Sequence, residues 1–372
     1  MKRKIIDALR GLDHRLFFPY LSEAAAEPYY RYREIQHYPF DGSSLRNVPP
    51  AVAAYFEKCT REWPLEKFHY CYTDGCTIEP STGWGVTKDN QLIPQSHWNS
   101  YIHRANKPWF LKFRFAPHRT IHLEKVISIQ YAWGNYWHFH NDVLGQLHLA
   151  DEMGLPPDTP VVIAEGLSRM AYFKEVLSRS PDLQRRNWVL QDPKTHVVCR
   201  EAHFFNTFWD HRENFDAVLD YMNLRPALWE QPAAADRIFV ARSRNRGRTI
   251  LNMAAIEDVL RKHRFRIVEC DGLSLLDQME LFRNAAYVIG IHGAGLSNVI
   301  YRQGRPMKML EIFSADYLNP CYYWFCRQYG YDYHAVLGSG YTEPGTTVGS
   351  FTVDPAAFEE RLVAMMAGSA DS

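Results

Sequence analysis

What this chain lacks narrows its function before any motif is read. No stretch approaches the roughly 20 apolar residues that a membrane-spanning helix needs. Net charge is missing too: 42 basic side chains balance 42 acidic ones over 372 residues, which leaves no long-range pull toward nucleic acid or an anionic membrane. Cysteine is sparse and odd in number, at 7. Cys71/Cys76 and Cys321/Cys326 are spaced more widely than a zinc-ribbon pair, with no matching ligands near them in the sequence. That usage fits buried thiols in a reducing compartment and leads us to expect a cytoplasmic protein. The first residues, Met1-Lys-Arg-Lys, resemble the start of a secretory signal, but no apolar run or cleavage site follows. Ile5, Ile6, Leu9 and Leu12 instead mark one side of a short amphipathic helix, packed on its own domain or, as the alternative, touching the inner face of a membrane.

Aromatic residues are what the chain has in excess, at 14%. Many precede residue 140, including Tyr29, Tyr30, Trp63, Trp84, Trp98 and Trp109. Sugars stack their C–H faces on such rings, and aromatic cores use the same residues.

Length suggests two domains, each able to bury a core. Residues 1–120 carry turn signals and no clean period, which reads as an irregular lead-in with short strands. From there the pattern alternates. Strands are expected at 126–130, 160–164, 188–190 and 197–198, with helices at 138–153 and 167–177. A proline-bearing linker at 225–236 ends this N-terminal α/β domain, taken as 1–225. The second domain, 236–345, alternates more sharply, with strands at 238–241, 265–268, 287–291 and 307–312 and helices at 252–263, 274–284 and from 296. That order describes a Rossmann-like domain, followed by a last helix and tail at 346–372. Two such domains facing each other would leave a cleft for ligand.

Four segments carry chemistry. The first is Tyr287-Val-Ile-Gly-Ile-His-Gly-Ala-Gly-Leu-Ser-Asn298, an apolar strand that ends in a glycine turn and opens a helix. Gly293 and Gly295 would let the backbone approach a ligand and adopt positive φ. The amides of Gly293, Ala294, Gly295 and Leu296 would face a diphosphate, favoured by the helix dipole, with His292 in reach of the leaving phosphate. The plain alternative is a βα turn whose glycines serve packing. Rival motifs fail: the dinucleotide fingerprint lacks its last glycine, no phosphate-loop Gly-Lys-Ser/Thr exists, and the Gly-x-Ser-x-Gly elbow of a hydrolase is incomplete at Val299.

The second segment, Arg242-Ser-Arg-Asn-Arg-Gly-Arg248, is a cationic loop after a strand, suited to phosphate oxygens or simply solvated. The third is Glu311, whose carboxylate near a strand end could take ribose hydroxyls or merely face solvent. The fourth is Asn135-Tyr-Trp-His-Phe-His-Asn-Asp142, where His138 and Asp142 share a helical face as a base and its orienting partner, and His140 points elsewhere. Metal ligation there would rest on a thin ligand set. The chain also has no Asp-x-Asp, the usual bridge to a metal-bound sugar diphosphate.

In order, Asn135-Tyr136-Trp137-His138…Asp142, Arg242…Arg248-x-Ile250-x-Asn252, Gln278, His292-Gly-Ala-Gly-Leu-Ser297-Asn298 and Leu310-Glu311 resemble glycosyltransferase family 61. That family includes plant xylan arabinosyl- and xylosyltransferases, animal O-linked N-acetylglucosaminyltransferases and bacterial capsular polysaccharide proteins. The likeness runs over about 125–340 and implies a GT-B-like α/β fold, two Rossmann-like domains facing a cleft. It further implies a UDP-sugar donor, a glycan or glycolipid acceptor, inversion, and no metal or other cofactor. Donor binding would then fall to Arg242, Arg248, Asn252, Gln278, the 293–298 turn and Glu311, catalysis to His138, Asp142 and His292, and the acceptor side to Asn135, Tyr136, Trp137 and His140. Met253 stands where the family often has Glu, and Leu144-Gly-Gln-Leu147 where it often has Leu-Pro-Arg-Leu. The lack of a secretory anchor favours the bacterial type of member. The alternative reading is an inactive glycan- or nucleotide-binding assembly subunit.

Overall fold

The computed structural model describes residues 13, 16–37, 45–97, 107–129, 135–208, 211–224, 234–242, 248–340 and 350–367. The N-terminal segment 1–12, most of the 225–236 linker, and Arg244 and Arg246 lie outside the described residues. The chain forms two compact units, one from Met1–Ile35, Glu66–Phe208 and Ala217–Asn223, the other from Gln36–Leu65, Trp209–Asp216 and Leu224–Ser372. Each is built on one sheet, so the fold is α/β. Among the described residues, no helix is long and apolar enough to cross a membrane.

The first unit's sheet contains β1 (Tyr30–Gln36), β2 (Leu65–Tyr72), β3 (Cys76–Ile78), β4 (Gly85–Thr87), β5 (Leu92–Ile93), β6 (Arg119–Ser128), β7 (Val161–Ala164), β8 (Trp188–Gln191) and β9 (Thr195–Asn206). The alternating segments build its parallel half, in which β6 lies between β9 and β7, and β7 pairs β8. The lead-in supplies an antiparallel extension, with β2 and β3 both paired to the long strand β9. β7 is buried at every position, as a parallel strand covered on both faces must be.

The second unit's sheet is wholly parallel, in the order β11-β10-β12-β13-β14. Its strands are β10 (Asp236–Ala241), β11 (Arg266–Glu269), β12 (Ala285–Ile291), β13 (Lys308–Phe313) and β14 (Asp332–Leu337). One face packs on the helices Met253–Lys262 and Pro355–Ala367 through Phe239, Ile289, Leu310, Ile256, Leu260, Phe358 and Leu362. On the helix Pro50–Glu62, Phe56 stacks on Tyr323 at 5.4 Å between ring centroids and meets Phe313 edge-on at 5.9 Å. Such ring pairs add about 0.5–1.5 kcal/mol each beyond their burial. Strand order reverses between β10 and β12, and in parallel α/β sheets the carboxyl ends at that switch point are where ligands bind. Val240 pairs with Gly290 there, so Arg242 and His292 leave the sheet from neighbouring strands.

Candidate active site

In the second unit, β12 ends at Ile291 and the chain enters a 3₁₀ helix, Ala294–Arg302. Nine residues is long for this helix type, which usually runs three or four. Gly293 has φ 165°, ordinary extended backbone, and Gly295 is not left-handed either, so the expectation of positive φ at this turn is corrected. Room explains the glycines instead. A Cβ on Gly293 would lie 2.2 Å from Arg242 Nη1, and one on Gly290 2.7 Å from Leu296 Cδ2. The N–H groups of Ala294 and Gly295 precede any intrahelical acceptor and can face an anion. That of Leu296 donates to the Gly293 carbonyl (3.0 Å), which removes it from the expected set.

The turn is braced from behind. Ser274 and Asp277 form a capping box that starts the helix Leu275–Asn284. Gln278 on that helix donates to the Leu273 carbonyl (3.1 Å) and accepts from Asn298 Nδ2 (2.8 Å), which also reaches the Gly295 carbonyl (3.2 Å). Ser297 hydrogen-bonds the Ala294 carbonyl, and Ser297 and Asn298 are both fully buried. Gln278, Ser297 and Asn298 therefore shape the turn rather than line it. Asn252 likewise uses both amide atoms on the Val353 backbone, at 2.7 and 3.1 Å, holding the strand bridge between Ile250 and Phe351.

Glu311 is fully buried, and both of its oxygens are engaged. Oε1 accepts from His292 Nδ1–H at 2.5 Å and Oε2 from the Tyr333 hydroxyl at 2.5 Å. Direct contact between Glu311 and ribose hydroxyls is thus corrected; the carboxylate acts through His292. Burial first, then the adjacent Glu311, holds the Tyr333 phenol well above its ordinary value, so it stays a donor. With Nδ1–H given to Glu311, His292 turns Nε2 to other partners. Its ring lies among Phe313, Tyr317 and Tyr322 at centroid distances of 5.5, 5.3 and 5.4 Å. The Tyr322 hydroxyl donates to the Gly293 carbonyl at 2.7 Å.

Tyr317 links the histidine to Arg248, whose guanidinium lies 4.7 Å from the ring centroid. Arg248 has φ 54°, a left-handed conformation that costs a non-glycine residue of order 1 kcal/mol. Among the described residues, its Nη1 is buried without a hydrogen-bond partner. Arg242 Nη1 approaches the His292 carbonyl at 3.4 Å. Two cations, two helix-start amides and a histidine backed by a carboxylate thus meet at the switch point. Tyr317, Tyr322 and Tyr333 escaped the sequence reading. For Tyr333 the available signal was the short run 332–337, bounded by Gly330 and Gly338.

In the first unit, Asn135 caps a short helical segment, its Oδ1 accepting from Trp137 N–H at 2.9 Å. A π-helical turn, Phe139–Leu144, follows, with Gly145 N–H bonded to the His140 carbonyl five residues back. Such turns recur at functional sites. His138 Nδ1 lies 2.6 Å from Asp142 Oδ2, and Asn141 Nδ2 supports Asp142 Oδ1 at 3.2 Å. The Asp142 side chain is 2% exposed and that of His138 20%, so the histidine is the member that can meet a substrate. His140 is fully buried, donates Nδ1–H to the Tyr136 carbonyl (2.8 Å), and is held by burial at about 4. Acceptor contact by His140 is therefore corrected, and Trp137 is buried too. Tyr136 remains half-buried and Asn135 exposed.

Residues 136–308 match the family described as Glycosyltransferase 61. The matched span takes in His138, Asp142, Arg242, Arg248 and the 292–298 turn, and ends before Glu311. Among solved structures, E. coli heptosyltransferase WaaC with ADP is similar at 11% identity, covering 65% of this chain and 100% of that chain, with a TM-score of 0.31. No curated protein matches the chain. The chain carries a glycosyltransferase family 61 domain over residues 136–308, and by that domain it is a glycosyltransferase.

Proposed function

We propose that the protein moves a sugar from a UDP-sugar to a glycan acceptor, with inversion and without a metal, in bacterial surface polysaccharide synthesis. The observation that carries the donor half is the buried Nη1 of Arg248, without a hydrogen-bond partner among the described residues, on an arginine stacked over the Tyr317 ring that also flanks His292. Family membership supports the reaction class, and the resemblance supports the donor, the GT-B arrangement and the pathway.

The diphosphate binds at the Ala294 and Gly295 amides with Arg242 and Arg248. As the anomeric carbon–oxygen bond breaks, its electron pair passes to the diphosphate. His292, oriented by Glu311 and Tyr333, and the two arginines meet the growing charge, each contact contributing on the order of 2–4 kcal/mol. The acceptor oxygen bonds to the anomeric carbon as its proton passes to His138 Nε2. Asp142 fixes the histidine tautomer and steadies the imidazolium that forms.

A thermal-shift screen over UDP-, GDP- and ADP-sugars, followed by a nucleotide-release assay with the best binder, tests this reading. Stabilisation by a UDP-sugar with turnover supports it. Binding without any turnover, even hydrolysis, would leave the inactive assembly subunit as the better account.

A further inference from the structure

We propose that Cys71, Glu201 and His203 bind one zinc-class divalent ion in the first unit's sheet, apart from the residues assigned to sugar transfer. Cys71 on β2 stands directly opposite His203 on the antiparallel strand β9. Glu201 lies two residues before His203, so strand alternation puts its side chain on the same face. The Cys71 thiol, a Glu201 oxygen and a His203 ring nitrogen lie within 4.8 Å of one another.

A tetrahedral zinc with bonds of about 2.0–2.3 Å holds neighbouring ligand atoms about 3.3–3.6 Å apart. Small side-chain rotations suffice to reach that geometry. Thiolate with imidazole and one carboxylate selects zinc or cobalt over magnesium or calcium. Three protein ligands leave a fourth position for water.

The surroundings supply what such a site needs. His69, two residues before Cys71 on the same face, places Nε2 2.8 Å from His203 Nδ1. That contact orients the ring when Nε2, now 2.8 Å from Glu201 Oε1, turns to an ion. Cys71, His203 and His69 are buried, while Glu201 is partly open and offers an entry path. Two cations stand nearby. Burial, then the Glu201 carboxylate, raises the Cys71 thiol above its ordinary value, and a hydrogen bond from Arg31 offsets this only in part. Lys125 Nζ lies 2.8 Å from Glu201, but at 42% side-chain exposure it can return to water at little cost. An ion here would tie β2 to β9, the strand that joins the antiparallel and parallel parts of the sheet.

The test uses the full chain, stripped with chelator and titrated with Co²⁺ and then Zn²⁺. Expected are one tetrahedral cobalt per chain with a thiolate-to-cobalt charge-transfer band, and its displacement by an equal amount of zinc. Cys71→Ser should abolish the band while Cys321→Ser keeps it, with circular dichroism confirming the fold of each. Glu201→Gln, at a partly open position, should weaken cobalt binding by more than about tenfold. Absence of the band from the folded wild type, its survival in Cys71→Ser, or unchanged affinity in Glu201→Gln overturns the assignment.

Discussion

His292 and Glu311 sit on neighbouring parallel strand ends, with Nδ1 and Oε1 2.5 Å apart and the second carboxylate oxygen held by Tyr333. This pairing makes the histidine a directed group and determines which ring nitrogen faces a ligand. Replacing Glu311 by Gln keeps the shape and removes the charge that supports an imidazolium. Turnover should fall by about tenfold to a hundredfold, the span of one charged hydrogen bond, with UDP affinity changed far less. Tyr333→Phe should act in the same direction and more weakly. Steady-state kinetics beside UDP calorimetry separates the two effects, and equal losses in both would argue against the relay.

Gly293→Ala isolates the arginine contact. The added methyl clashes only with the far end of Arg242 and otherwise makes ordinary contact with the Ile291 carbonyl, so the side chain should swing aside and the fold survive. UDP should then bind at least several-fold more weakly at an almost unchanged melting temperature. Gly290→Ala, which presses on the packed Leu296 side chain, should instead lower the melting temperature, by an amount consistent with the roughly 1–3 kcal/mol of overpacking.

Asp142→Asn should cost about 10²–10⁴ in turnover, because the amide no longer enforces the tautomer that leaves His138 Nε2 basic. UDP affinity should not move. A variant with wild-type turnover would remove the pair from catalysis.

Stability should depend on acid pH through His140. Burial holds it at about 4, below the ordinary 6.5, so between those values the unfolded chain binds a proton that the native chain refuses. His140's contribution is therefore full above about pH 6.5 and is lost as pH falls toward 4, by roughly 2 kcal/mol between about pH 7 and about pH 5, in addition to what the similarly depressed His69 and His196 lose. Urea midpoints at the two pH values should show this loss in the wild type and a flatter response in His140→Gln.

The glycine turn at 292–298 was legible in the sequence, since a strand, spaced glycines and a helix start are local features. The His138–Asp142 pair was legible for the same reason, as residues one helical turn apart. Glu311 was not. Its partner depends on β12 and β13 being neighbours with Gly290 opposite Glu311, and no local pattern states strand order. Tyr333 required one strand more, β14 against β13. The sequence reading turns His140 away from the His138–Asp142 face, toward the acceptor side, and the π-helical turn that buries it while leaving His138 partly open has no signature in residue spacing. The ligands around Cys71 stayed hidden because β9 lies about 130 residues away in the chain.

Metal dependence bears on the mechanism without touching the zinc-class site. In buffer whose only added divalent ion is zinc, turnover should equal that with Mg²⁺ or Mn²⁺. A strict need for either would contradict charge stabilisation by Arg242, Arg248 and the helix-start amides.

The most direct test of the donor site is calorimetric titration of UDP into the wild type and into Arg248→Ala, with circular dichroism on both. The guanidinium stacked on the Tyr317 ring, which also flanks His292, predicts measurable UDP binding that falls at least tenfold in the folded variant. Equal UDP affinity in the two proteins would contradict the account.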